Sequence, residues 1–383
     1  MPVLLERGTN GPIVLGSQRE IAASQFARRS INIALINNMP DSALENTERQ
    51  FAELVAAASS DKLVCLRVYS LPDVPRSSSA RRYIDETYSS VDSLWRSRPD
   101  GLIVTGTEPR APELTDEPYW SGLTQIVDWA QYTTVSTIWS CLAAHAAVLH
   151  MDGIRRRPLA EKRSGIFKFS NISGHPLAAG IPHRFAVPHS RLNDLDQDEL
   201  AANGYTILSV SEQVGVDTFV KKTRSTFVFF QGHLEYETGT LFREYRRDVT
   251  RFLKGDRERY PAIPDGYFPR AVKNRLLAFR EHALVGRTEN LLADFPLVKE
   301  DLPNTWRIAA IRIYRNWLTT ILAGKQWRPH PMSGNQARKS AHSAASNWLS
   351  QLNATGGSRL PRLGFSTIAP SVVNRASKPG STK

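Results

Sequence analysis

Cys141 ends the apolar run VSTIWSC at 135–141 and is followed by LAAHAAVLH, a stretch of small, helix-favouring residues. The pattern predicts a strand-to-helix turn with the thiol at its apex, the geometry of a nucleophile elbow. A helix N-terminus there supplies partial positive charge that favours the thiolate, and its free N–H groups can hold an oxyanion. A lone cysteine at such a place can equally be a small buried hydrophobe, and the local pattern leaves both readings open. Far downstream, TFVFFQGHLEYETGTLFREYRRDV sets His233 and Glu235 just past an apolar strand and a Gly turn, before a helix starting near Thr238. An imidazole whose tautomer is fixed by a carboxylate can take a proton from a thiol and hold the resulting charge. By itself, an exposed histidine beside a solvated glutamate would look the same.

These residues need a scaffold that brings strand ends together. Short apolar runs, INIALINN at 31–38, LVCLRVYSL at 63–71, GLIVTGT at 101–107 and VSTIWSC at 135–141, have strand length and alternate with helical patterns at 45–58 and 119–131. That βαβα order predicts an α/β fold with a mostly parallel sheet and helices on both faces. Ligands of such sheets gather at the carboxyl ends of the strands, where Cys141 and His233 both fall. A further helical pattern, TWRIAAIRIYRNWLTTIL at 305–322, is expected to pack against this unit.

Several chemistries are disfavoured. The only cysteines, Cys65 and Cys141, make no CxxC pair, and the histidines show no HExxH spacing, so no metal is assigned. No GxxxxGK[ST] or GxGxxG loop occurs. No apolar run approaches the roughly 20 residues of a membrane span, and the start MPVLLERGTNGP lacks a signal-peptide pattern, which predicts a cytoplasmic protein. The net charge of +12 is concentrated: residues 328–383 hold eight Lys or Arg and no acid, leaving +4 on the rest. This predicts an N-terminal extension at 1–30, a folded unit at 31–325, and a basic, disordered tail at 326–383. Nucleic acid is disfavoured as the tail's partner because aromatic interleaving is nearly absent.

Seven stretches, in order, carry a resemblance: INNMP at 36–40, DGLIVTGTEPRAPELTDEPYW at 100–120, STIWSCLAAHAAVLHMDGI at 136–154, LAEKRSGIF at 159–167, VPHSR at 187–191, QGHLEYETGTLFREYRRDV at 231–249 and TWRIAAIRIYRNWL at 305–318. Over about Ile31 to Leu322 the chain resembles the homoserine O-succinyltransferase and O-acetyltransferase family of methionine biosynthesis, whose fold is similar to class I glutamine amidotransferases. The resemblance implies an acyltransferase domain at 31–325, with acyl-CoA as co-substrate and no bound cofactor. It implies Cys141 as the acyl-accepting nucleophile, His233 as base and Glu235 as its partner. It places Lys162, Ser190 and Arg247 at the substrate, with the planar Arg247 fork suited to the amino acid's carboxylate. Arg110 falls where the family sets acyl-donor preference, Glu going with acetyl and Gly with succinyl. An arginine there could pair with the free carboxylate of a succinyl group, so succinyl-CoA is favoured over acetyl-CoA.

The chain departs from the family in three places. DSALENTERQF lacks the usual lysine after INNMP, and Ala143 and His145 stand where the family tends to have Gly and Gln. Transfer to another hydroxy amino acid such as serine, a class I glutamine amidotransferase, and a non-catalytic binding protein therefore stand as alternatives. The expected partners are small molecules, acyl-CoA and a hydroxy amino acid, and a homodimer stays open.

Overall fold

Every residue of Gly101–Val104, Ser136–Ser140 and Thr226–Phe230 is buried, as strands covered on both faces require. The computed structural model describes residues 3–7, 11–15, 30–298 and 301–325. Its first half runs β1 (Val3–Arg7), β2 (Gly11–Leu15), β3 (Ser30–Ile36), α1 (Leu44–Ser59), β4 (Leu63–Tyr69), α2 (Ser78–Thr87) and α3 (Val91–Arg96), then β5 (Gly101–Val104), α4 (Trp120–Thr133), β6 (Ser136–Ser140) and α5 (Leu142–Asp152). Next come β7 (Arg157–Asn171), β8 (Arg184–Asp194), α6 (Gln197–Ala202), β9 (Thr206–Ile207), β10 (Ser209–Ser211), β11 (Gly215–Val216), β12 (Thr218–Lys222) and β13 (Thr226–Phe230). Helices α7 (Thr240–Lys254), α8 (Arg270–Val285) and α9 (Arg307–Lys325) close the described chain.

The main sheet has nine strands in the order β2-β1-β4-β3-β5-β6-β13-β12-β9. All pairs from β1 to β13 are parallel; the flanking pairs are antiparallel. The fold is thus α/β with a mostly parallel sheet. Within β3 the side chains alternate: Ile31, Ile33 and Leu35 join the core under α1 and α9, while Ala34 and Ile36 join the core under α4 and α5. The predicted strands and the helices at 45–58, 119–131 and 305–322 all form, with ends shifted by a few residues. The first segment adds strands to the sheet, β1 running parallel to β4 from Val3 opposite Val64. The tail at 326–383 lies outside the described residues. No helix among the described residues is long and apolar enough to cross a membrane.

Two features exceed the sequence reading. A second sheet, ordered β11-β10-β7-β8, carries Lys162 and Ser190. Helix α8 buries Val272, Leu276, Phe279 and Ala283, one apolar stripe at helical spacing, in a small core shared with α7.

Candidate active site

The elbow is strained. Cys141 takes φ 53° and ψ −115°, and among the described non-glycine residues only Ser60 shares a positive φ. Its N–H donates to the Phe230 carbonyl at 2.7 Å, which ties the turn to the end of β13. In the parallel β6·β13 pair Ser140 lies opposite Phe230, so Cys141 and the following Gln231–Gly232–His233 leave the sheet side by side. At the end of β5, Gly106 permits close approach: a Cβ there would come within 2.8 Å of the Leu142 Cβ and 3.0 Å of its nitrogen.

His233 is buried and bridges two groups. Its Nδ1 lies 2.8 Å from Glu235 Oε1, and the ring also hydrogen-bonds the Cys141 thiol. Burial opposes the imidazolium, but the charges of Glu235 and Cys141 and the hydrogen bonds to both outweigh it, and the pKa rises well above its ordinary value. Tyr236 stacks on the imidazole at 4.2 Å between ring centroids, and the His233 N–H donates to the Pro188 carbonyl at 2.8 Å. Burial, then the charges of Glu244 and Glu235, push the Tyr236 phenol far up, so it stays protonated and donates to Glu244 Oε1 at 2.6 Å.

The opposite wall is a network of charges. Lys162 Nζ sits 2.7 Å from Asp248 Oδ2 and 3.9 Å from Glu244 Oε2. Arg247 reaches Asp248 Oδ1 through Nε at 3.1 Å and Nη2 at 3.0 Å. Ser190 Oγ donates to Glu244 Oε2. Burial works to raise the Glu244 and Asp248 pKa values, but the Lys162 and Arg247 charges dominate and both carboxyls are held low. Arg251 pairs with Glu108, through Nη2 to Oε2 at 2.9 Å. Sequence reasoning singled out Arg247 and missed Glu244, Asp248 and Arg251. Their signal was available: Glu244, Arg247, Asp248 and Arg251 fall at helical spacing along one face of α7.

Cys141, His233, Glu235, Lys162, Ser190 and Arg247 line one cleft of about 990 Å³ counted to its open mouth. Arg110 does not line it. Its side chain is exposed, and it borders an adjoining hollow that shares Thr107, Glu108, Pro109 and Arg251 with the cleft. The buried Glu117 carboxylate accepts from the Arg110 and Ala111 N–H groups, at 2.8 Å for Ala111. The contacts of Arg110 thus come from the backbone of a turn. His145, on α5, is buried at the wall of the cleft with Nε2 2.9 Å from Gln231 Oε1. Among the described residues no group of three or more His, Cys, Asp or Glu could hold a metal.

A cysteine on a strained strand-to-helix elbow beside an imidazole that a carboxylate orients is an arrangement with the geometry of a thiol-nucleophile site, set on an α/β sheet. A family model described as Homoserine O-succinyltransferase matches residues 11–326. Relatives described as homoserine O-succinyltransferase include one from Methylorubrum extorquens, 48% identical over 309 residues that span 80% of this chain and 92% of that one. Another, from Rhodopseudomonas palustris, is 47% identical over 77% of this chain and 89% of its own length. The solved structure of a glutamine amido transferase from Methylobacillus flagellatus covers 80% of this chain and 98% of its own at 14% identity and a TM-score of 0.44. The chain belongs to the homoserine O-succinyltransferase family and is an enzyme of the homoserine acyltransferase type.

Proposed function

We propose that the protein transfers a succinyl group from succinyl-CoA to the hydroxyl of L-homoserine, through a thioester on Cys141. The observation that carries this reading is the continuous contact Cys141–His233–Glu235, facing the Lys162–Ser190–Arg247 wall across one cleft. In the first step the Cys141 thiolate attacks the donor's thioester carbonyl. The bond from that carbon to the CoA sulfur breaks, and the His233 imidazolium protonates the leaving thiolate. The Leu142 N–H, in the first turn of α5 where backbone N–H groups lack intrahelical partners, would receive the oxyanion. In the second step neutral His233 takes the acceptor's hydroxyl proton while its oxygen attacks the acyl-cysteine, releasing the Cys141 thiolate. Glu235 holds the tautomer and offsets the imidazolium charge in both steps.

The acceptor's carboxylate fits the cationic side of the wall. Asp248 occupies Nε and Nη2 of Arg247, leaving Nη1 for a ligand. Glu244, accepting from Ser190 and Tyr236, sets a negative charge where an amino group could be held. That the two relatives above are described as homoserine O-succinyltransferases favours succinyl as the group transferred. The test is to incubate the purified protein with succinyl-CoA or acetyl-CoA without acceptor and map the adduct by intact-mass and peptide spectrometry. A succinyl adduct on Cys141, absent from Cys141→Ala, is expected. No adduct from either donor, or glutamine hydrolysis without acyl transfer, would overturn the reading.

A further inference from the structure

Six Lys or Arg side chains line the Cys141 cleft, and five already face a carboxylate. Lys162, Arg247 and Arg257 share Asp248, at 2.7, 3.0 and 3.6 Å. Arg251 pairs with Glu108, and Arg191 with Asp194 at 2.6 Å. Arg156 is the exception among the described residues. Its hydrogen bond runs from Nη2 to the Pro112 carbonyl at 3.2 Å, and no carboxylate lies within ion-pairing distance. Its neighbours in sequence do not share this position: Arg155 is largely exposed near Glu113, and Arg157 pairs with Asp196 at 2.5 Å.

A half-buried guanidinium without an ion-paired carboxylate is a site suited to an anion, because its desolvation is only partly offset. Burial depresses the Arg156 pKa, and the charges that act the other way are those of Tyr119, Glu113, Glu117 and Cys141. Arg156 and Cys141 line the same cleft. Of the anions the substrates bring, the amino acid's carboxylate has the Lys162–Arg247 wall to meet. The far carboxylate of a succinyl group is the anion that stays attached to Cys141 after CoA has left.

We propose that Arg156 binds the free carboxylate of the succinyl group carried by Cys141 and so selects a dicarboxylic acyl donor, the role that sequence position alone assigned to Arg110. This rests on the succinyl-transfer reading. Selection follows from charge: an acetyl or other neutral acyl group leaves Arg156 unpaired, whereas succinyl answers it.

The experiment compares acylation rates of Cys141 by succinyl-CoA and butyryl-CoA, which has the same chain length with a methyl in place of the carboxylate. Arg156→Gln and Arg156→Lys are measured beside the wild type by quenched-flow mass spectrometry. In Arg156→Gln the succinyl-to-butyryl rate ratio falls roughly 10- to 150-fold, the range of a hydrogen bond to a charged group. Arg156→Lys, which keeps the cation, recovers most of that ratio. An unchanged ratio, whether both rates fall together or neither moves, overturns the assignment, since a contact to CoA or a purely structural role would affect both donors alike. A wild type that accepts no succinyl group overturns the transfer reading itself, a result distinct from an unchanged ratio in a protein that is succinylated.

Discussion

Replacing His145 by Gln removes a titratable group from the elbow helix while keeping a hydrogen-bonding partner for Gln231. His145 is 3% exposed. Burial first, then the Arg191 charge, holds its pKa down to about 4, against an ordinary 6.5. Because the folded pKa lies below the unfolded one, the unfolded chain binds more protons between those values. Stability therefore falls as pH drops from about 6.5 towards 4. Between pH 8 and pH 5 the loss from this residue is about 2 kcal/mol, growing to about 3 kcal/mol below pH 4. His189, which burial also holds well down, is common to both proteins, as are the carboxylates, so their contributions largely cancel in a comparison. Urea unfolding at both pH values is expected to show the wild type losing about 2 kcal/mol more than His145→Gln over that interval. Equal losses would refute the argument that His145 is held neutral in the fold.

Two further substitutions probe the supports of the site. In Gly232→Ala the new Cβ would meet Val187 Cγ1 at 2.5 Å and His189 Nε2 at 2.8 Å, so a destabilisation of about 1–3 kcal/mol is expected in thermal or urea melts; an unchanged melting point would show that the β8 wall yields freely. Asp248→Asn removes the carboxylate shared by Lys162, Arg247 and Arg257, and is expected to raise KM for the amino acid by about tenfold or more while Cys141 acylation changes little. Loss of acylation with KM unmoved would place Asp248 with the donor instead.

The main sheet was legible because its strands follow rules that act locally. The runs at 31–38, 63–71, 101–107 and 135–141 are apolar nearly throughout, and burial on both faces of a parallel sheet is what makes such runs stable. The second sheet lacked that signal. β7 begins with a mostly exposed stretch, and its pairing with β8 is irregular between Pro158 and Arg163, so the polar residues there follow neither a period of two nor a helical one. Its strand character comes from β8, more than a dozen residues away, rather than from its own pattern. Helix α8 does carry an apolar stripe from Val272 to Ala283, but its partner surface on α7 exists only in the folded chain.

The site divides along the same line. Cys141 and His233 each had a local pattern, yet their meeting depends on β13 joining β6 in parallel with Phe230 opposite Ser140, a register that no local window contains. Charge balance is less local still. Arg110 and Arg156 are both basic residues near family-like motifs, and nothing in their immediate sequence separates them. What separates them is placement: Glu117 anchors the Arg110 backbone in a turn outside the cleft, while Arg156 lines the cleft without a carboxylate of its own. On that reading, once the acceptor's carboxylate has met the free Nη1 of Arg247, the other five cations of the cleft, each already facing a carboxylate, exert little net pull on a further anion. If Arg156, the cleft guanidinium without a carboxylate among the described residues, holds the far end of the acyl group as proposed, a substitution there is expected to alter donor choice more than any change to the paired network.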